Sequence, residues 1–138
     1  MSIEHIWSVL CRQALISKDS NNITLVEVIE RIRLSQLPQE GISPISLQLV
    51  TLWGRPVISE PSRGRARWRL VDPEGNEMAE PVVYDIDLTT FVRARNRSQM
   101  SALPIRGPGK YVFCVEMEAE GNWIPVARVP VEVAIEPS

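Results

Sequence analysis

The fold is indicated most clearly by residues 109–135, which read GKYVFCVEMEAEGNWIPVARVPVEVAI. Apolar side chains occupy the odd positions of 111–117 and most odd positions of 123–135, while the charged side chains fall on even positions. Alternation with a period of two is typical of a β-strand with one buried side. The turn residues Glu120-Gly121-Asn122 separate the two runs. We therefore expect a β-hairpin over 110–135 whose odd-numbered residues are buried.

Two details refine this hairpin. Pro125 and Pro130 cannot donate backbone hydrogen bonds, so the second strand should lie at a sheet edge or contain a bulge. Cys114 and Glu116 fall on the even positions of the first strand, and we expect both to face outward, with the Cys114 thiol accessible.

The same alternation recurs along the rest of the chain. Strands are predicted at 45–53, 65–70 and 82–88. Residues 23–34 are rich in Ile and Val and are predicted to be one strand, although their charge pattern also suits a helix. Residues 3–17 fit a strand or a helix, and a strand paired with 23–34 is the simpler interpretation. The segments 56–63 and 93–109 are predicted to be loops.

Seven or eight strands with short spacing predict an all-β, antiparallel two-sheet sandwich, immunoglobulin-like, in one domain over 1–138. The four tryptophans lie on predicted core faces: Trp7, Trp53, Trp68 and Trp123. Tyr111, two residues before the apolar Phe113, matches the tyrosine corner of immunoglobulin-like domains, or it is simply one aromatic residue of a half-buried strand.

Two stretches, one near each end of the chain, resemble a known family. The first stretch, residues 10–28, includes Leu10-Cys11-Arg12 and Asn22-Ile23-Thr24-Leu25-Val26-Glu27-Val28. The second stretch is the G-x-Y-x-F sequence from Gly109 to Phe113. They are similar to a family of short, uncharacterised bacterial proteins that share these two ends. The resemblance implies a β-sandwich and supplies no activity or functional residue.

Composition excludes several function classes. The chain has 138 residues, 44% of them apolar, and a net charge of −2, so no general attraction to nucleic acid or to an anionic membrane is expected. No signal peptide or membrane-spanning segment is visible. Cys11 and Cys114 are too few for a disulfide framework, and both are expected to be reduced thiols in a bacterial cytoplasm.

The parts of an enzyme are missing from the sequence. His5 is the only histidine, and Cys11 lies six residues away, about 20 Å along an extended strand. No phosphate-binding or nucleophile motif is present. Asp85 and Asp87 share one side of a strand, but two carboxylates do not make a calcium site. We expect no catalytic residue, metal or cofactor, and no small-molecule ligand is implied.

The most unusual feature is a run of arginines at period two. The candidate interaction face comprises two groups: Arg63, Arg65, Arg67 and Arg69 on one predicted strand, and Arg93, Arg95 and Arg97 in the following loop. The first group should project from one side of its strand, opposite Asp85 and Asp87 of the next.

Three roles remain open for these arginines. They form a solvated, salt-bridged face, or they dock an acidic protein surface such as the glutamate-rich end of another copy, or they bind nucleic acid phosphates. The last role is disfavoured because no exposed aromatic residue is expected beside the arginines. The expected function is therefore a non-enzymatic protein-binding or assembly module, with a nucleic-acid-associated accessory protein as the alternative.

Overall fold

Nine β-strands and no helix make up residues 2–137, the part of the chain that the computed structural model describes. The strands are β1 (Glu4–Ile16), β2 (Ile23–Val28), β3 (Arg31–Leu34), β4 (Ile42–Gly54), β5 (Ser62–Val71), β6 (Val82–Leu88), β7 (Arg93–Pro104), β8 (Gly109–Ala119) and β9 (Asn122–Ile135). Within these residues no helix is long and apolar enough to cross a membrane. The all-β prediction is confirmed.

The strands form two sheets. The four-stranded sheet has the order β2-β1-β4-β7, and the five-stranded sheet has the order β3-β9-β8-β5-β6. Neighbouring strands are antiparallel except β3 and β9, which pair in parallel from Arg31 opposite Glu132 to Leu34 opposite Ile135. The expectation of a purely antiparallel fold is therefore wrong at this pair. One hydrophobic core draws its residues from both sheets, and Trp53, Tyr111 and Phe113 are its largest fully buried side chains.

The predicted single strand at 23–34 is two strands that belong to different sheets. Glu27 has a φ of 54°, although the pairing with β1 keeps one register from Val26 opposite Gln13 to Val28 opposite Cys11. After Ile29, whose side chain enters the core, the chain crosses to the other sheet and continues as β3. The strand is divided because its two halves pair with different neighbours.

The first segment is a strand, β1, as the simpler interpretation predicted, and it pairs with β2. Residues 93–104, predicted to be a loop, are instead the long strand β7. Polar residues occur on both sides of β7, so its sequence does not show the apolar–polar alternation of a half-buried strand. Ser98, on the inner side, accepts a hydrogen bond from the indole nitrogen of Trp68 at 2.9 Å, so a polar group satisfies a core residue there.

The 110–135 hairpin is confirmed as β8 and β9, joined by a tight turn at Glu120 (φ 52°) and Gly121 (φ 80°). Both positive φ values are those of a type I′ turn. Val115 lies opposite Ala127 whereas Glu116 lies opposite Pro125, so β9 has a bulge at this point, as its prolines suggested.

This bulge overturns part of the predicted burial. Beyond it the two sides of β9 exchange, because one extra residue shifts the alternation by one position. Trp123 therefore lies opposite Glu118 on the outer side, against the guanidinium of Arg67, and not in the core. Trp53 and Trp68 pack in the main core as predicted. Trp7 instead joins a small separate cluster on the outer side of the four-stranded sheet.

Strand β8 is buried on both sides, which contradicts the expectation of an exposed even-numbered side. Cys114 is 5% exposed and Glu116 is 4% exposed. The strand lies in the middle of the five-stranded sheet, and the long side chains of Arg67 and Arg69 on β5 lie over its outer side. Cys114 is consequently not an accessible thiol.

The geometry of a tyrosine corner is present. The hydroxyl of Tyr111 donates to the carbonyl of Gly107 at 2.8 Å, and it accepts from the backbone nitrogens of Arg106 and Gly107 at 3.0 and 3.2 Å. Tyr111 is fully buried. Its phenol therefore satisfies three backbone groups of the loop that leads into β8.

We expect Tyr111→Phe to lower the free energy of unfolding by about 1–3 kcal/mol, because backbone groups beneath the ring lose their partner. Tyr84→Phe is the matched control, since among the described residues the Tyr84 hydroxyl contacts side chains and no backbone group, namely the Trp53 indole at 3.3 Å and Thr51. Urea denaturation of both variants measures the difference. Equal losses in the two variants would contradict the role of the corner.

Candidate functional site

The first arginine group lies on the outer side of the five-stranded sheet and is neutralised within the chain. Arg63 faces Asp87, and Arg65 faces Asp85, with nitrogen-to-oxygen distances of 3.7 Å in both pairs. Arg65 also contacts Glu118 of β8 at 3.0 Å. The predicted placement of this stripe opposite the β6 aspartates is confirmed for these two arginines.

The other two arginines of the stripe use a carboxylate that sequence reasoning assigned to the exposed side. The Nε atoms of Arg67 and Arg69 lie 2.7 and 3.3 Å from the same oxygen of Glu116. The guanidinium of Arg67 also stacks over the Trp123 ring at 4.5 Å. Arg67 and Glu116 lie directly opposite each other on neighbouring strands, which explains the pairing.

Asp87 is held in its ionised form. Hydrogen bonds from the Thr89 hydroxyl and backbone nitrogen, with a smaller effect of Arg63, lower the pKa of Asp87 below its ordinary value of 3.8. Its carboxylate accepts both bonds, at 2.6 and 2.9 Å. The charge that neutralises the end of the stripe is therefore fixed by the turn that follows β6.

The second arginine group lies on the other sheet. Arg93, Arg95 and Arg97 alternate along β7, where they stand opposite Gly54, Leu52 and Val50 of β4. They share the outer side of the four-stranded sheet, because the intervening Ala94 packs against the core. The two groups therefore do not form the single interaction face that the sequence suggested.

The β7 arginines differ from the β5 arginines in their partners. Among residues 2–137 no carboxylate oxygen lies within 4.0 Å of Arg93, Arg95 or Arg97. Arg95 donates a short hydrogen bond to the backbone carbonyl of Asn21. Glu4 occupies the same row across the sheet as Arg93, with Gly54 between them, and it forms no ion pair with it. Three guanidinium groups on one side of one strand thus keep their charge unopposed.

A groove of about 660 Å³ runs beside these arginines. Its other wall is the turn of the β1–β2 hairpin, because β1 leaves β4 after Cys11 and continues with β2 as its partner. The apolar contacts of the small cluster hold this hairpin against the sheet, and they involve Cys11, Ala14, Val50, Trp7, Ile23 and Leu25. The hairpin turn thereby reaches across the sheet to Arg95.

An aromatic ring lies at the floor of the groove. Trp7 is half-buried, and it stands opposite Leu52, which in turn stands opposite Arg95. One row across three strands therefore presents an indole, an aliphatic side chain and a guanidinium. Sequence analysis placed Trp7 in the main core and treated 93–97 as loop. The period-two spacing of these arginines, the same signal that predicted β5, could have indicated the strand.

A histidine–serine contact is the nearest approach to a catalytic pair, and it was not predicted. The His5 Nε2 lies 2.8 Å from the Ser8 Oγ, and the latter lies 2.9 Å from the Thr51 Oγ1. The bulge in β1 after His5 brings the two side chains together. No carboxylate hydrogen-bonds to the imidazole within the described residues, so the orienting group that a nucleophilic serine uses is lacking.

The thiols offer no reactive centre either. Burial raises the pKa of Cys11 above its ordinary value of 9.0, which keeps the thiol protonated at neutral pH. Cys11 and Cys114 are both unpaired and buried. Across residues 2–137, no group of three or more His, Cys, Asp or Glu side chains is placed to hold a metal ion.

Comparison with known proteins adds no family. No protein-family model and no curated protein matches this sequence. The resemblance to short bacterial proteins stays a prediction.

The two kinds of ion pair on β5 predict different mutational effects. Glu116→Gln should lower the free energy of unfolding by about 1–3 kcal/mol, because two partly buried guanidinium groups lose their shared counter-charge. Asp85→Asn, the matched control, should change it by less than about 0.5 kcal/mol, since its pair with Arg65 is solvent-exposed. Chemical denaturation measures both. Similar losses in the two variants would show that Glu116 has no special structural role.

His5 predicts a pH dependence. Burial lowers the pKa of His5 below its ordinary value of 6.5. As the pH falls below 6.5 the unfolded chain therefore binds the proton first, so stability is complete above 6.5 and is lost as the pH falls toward the folded pKa. Denaturation midpoints from about pH 8 to about pH 5 measure the loss. His5→Gln should remove this part of the profile, and an unchanged slope would contradict the assignment.

Proposed function

We propose that this chain is a non-enzymatic binding module that takes a polyanionic macromolecule on the outer side of its four-stranded sheet. The observation that carries the proposal is the contrast between the two arginine groups. Arginines 63–69 all contact carboxylates of the chain, whereas Arg93, Arg95 and Arg97 contact none among the described residues. Unopposed like charges at this spacing repel one another unless a ligand of opposite charge neutralises them.

The net charge of −2 does not oppose this proposal. A local potential depends on the charges nearby and not on the total, and among the described residues the groove is lined by three arginines and no carboxylate. The internal ion pairs also argue against self-association through the glutamate-rich end, residues 111–138. Four of its five glutamate carboxylates are engaged by arginines of the same chain, namely Glu116, Glu118, Glu132 and Glu136. The partner is therefore an external one, an acidic protein surface or a nucleic acid.

The absence of an enzyme's usual parts supports a binding role. The His5–Ser8 contact lacks an orienting carboxylate among the described residues, and both thiols are buried. Unpaired cysteines support a location in the reducing cytoplasm. We further propose that the two sheets pack as an immunoglobulin-like sandwich. The core shared by both sheets and the hydrogen bonds of Tyr111 support that arrangement.

Binding to an immobilised polyanion such as heparin tests the proposal. The wild-type protein should be retained at low salt despite its net negative charge, and the triple variant Arg93→Gln/Arg95→Gln/Arg97→Gln should elute earlier. The matched control is Arg63→Gln/Arg65→Gln/Arg67→Gln, which removes the same charge from the neutralised stripe. It should elute at a salt concentration much closer to wild type. Equal shifts in both triple variants would contradict the assignment of the site.

A further inference from the structure

We propose that the polyanion is single-stranded nucleic acid, with its phosphates on the β7 arginines and a base stacked on Trp7. This inference rests on the proposed function and names the ligand class of the same site. It uses three features of the groove: the spacing of the charges, the aromatic ring beside them, and the size of the space between.

The spacing of the charges suits a phosphate backbone. Same-side residues of a strand are about 6.6–6.8 Å apart, so the three guanidinium groups form a row with a repeat close to that of phosphates in an extended strand. Each cation in the row is an arginine, the side chain whose planar fork binds phosphate oxygens in pairs. Arg95 is held in place by its bond to the carbonyl of Asn21 at the tip of the β1–β2 hairpin.

The aromatic ring supplies the second element of single-strand recognition. Trp7 lies two strands from Arg95, with Leu52 between them, so a base beside a bound phosphate reaches an apolar floor and an indole. Base stacking on aromatic side chains tolerates any sequence, because each base has a π-face. The polar residues Ser20, Asn21 and Asn22 line the opposite wall and offer hydrogen-bonding groups.

The groove and its aromatic floor favour a single strand over a duplex. A space of about 660 Å³ has the size of a small-ligand pocket and suits a nucleotide unit, whereas the bases of a double helix are already paired and stacked and are not free to stack on Trp7. An acidic peptide would satisfy the arginines and leave the aromatic floor without a role. The juxtaposition of Trp7 with Arg95 is what favours nucleic acid over an acidic protein segment.

The experiment is fluorescence anisotropy with a labelled oligothymidylate of about 12 nucleotides, measured on the full chain between about 50 and 200 mM salt. Three phosphate contacts predict a slope of log K against log salt of about −2, at about 0.7 for each contact. Arg97→Gln should reduce the magnitude of that slope by about 0.7. Arg128→Gln is the matched control, an exposed arginine on β9 with no ion pair in the described residues, and it should leave the slope unchanged.

Trp7 tests the stacking contact separately from the charges. Trp7→Leu should weaken binding about tenfold and leave the salt slope unchanged, because it removes a base contact and no phosphate contact. Trp7→Phe covers the case in which the leucine variant does not fold. Oligothymidylate should quench the tryptophan fluorescence of the wild type, and this quenching should be lost in Trp7→Phe while binding persists. Quenching that survives in Trp7→Phe would overturn the assignment of Trp7.

Two further probes separate the failure of this inference from failure of the proposed function. Polyglutamate that binds as tightly as oligothymidylate, with Trp7→Leu without effect, would overturn the nucleic-acid inference and leave the polyanion site standing. A duplex that binds as tightly as the single strand would overturn the single-strand assignment alone. If neither oligothymidylate, polyglutamate nor heparin binds at about 50 mM salt, the proposed function itself is wrong.

Discussion

The carboxylate of Glu116 determines how charge is distributed over this molecule. It is 4% exposed, lies on the central strand of the five-stranded sheet, and is shared by Arg67 and Arg69. Without it Arg67 and Arg69 would be two like charges on one side of β5 with no carboxylate partner. Because Glu116 and the neighbouring Asp85, Asp87 and Glu118 engage that stripe, its arginines are part of the sheet's own structure. An arginine row that lacks such a carboxylate is then the exceptional feature, and β7 carries it.

A second constraint is the division of β1 between two partners. Its first part pairs with β4 and its last part with β2, so the distal hairpin lies over the sheet that β1 helps to form. The small cluster around Val50 stabilises this arrangement by removing apolar surface from water. The groove wall and the contact between Asn21 and Arg95 are consequences of the same packing. Cys11, which is fully buried at the point of divergence, belongs to this structural role.

Local periodicity predicted much of the fold because one buried side imposes a period of two on the sequence. It predicted β5, β6 and the β8–β9 hairpin, and its failures have physical causes. The bulge opposite Glu116 reversed the two sides of β9 and moved Trp123 outward. The polar inner residues of β7 disguised a strand, since Ser98 satisfies an indole inside the sheet. The parallel pairing of β3 with β9 depends on residues about 100 positions apart in sequence, which no local pattern encodes.

The candidate site also depends on contacts between distant residues, which the sequence pattern does not reveal. The sequence singled out both arginine groups, but it could not say which of them was neutralised, because ion pairs depend on strand neighbours and not on chain order. Arg67 and Glu116 are 49 residues apart, and they meet only because β5 and β8 are adjacent. The net charge of the chain also did not indicate which arginines were neutralised. A chain with a net charge of −2 holds this arginine row because the carboxylates on strands of the other sheet pair with arginines there, and no carboxylate forms an ion pair with β7 among the described residues. The binding surface of such a protein follows from which charges remain after folding, so the topology and the charge pattern have to be considered together.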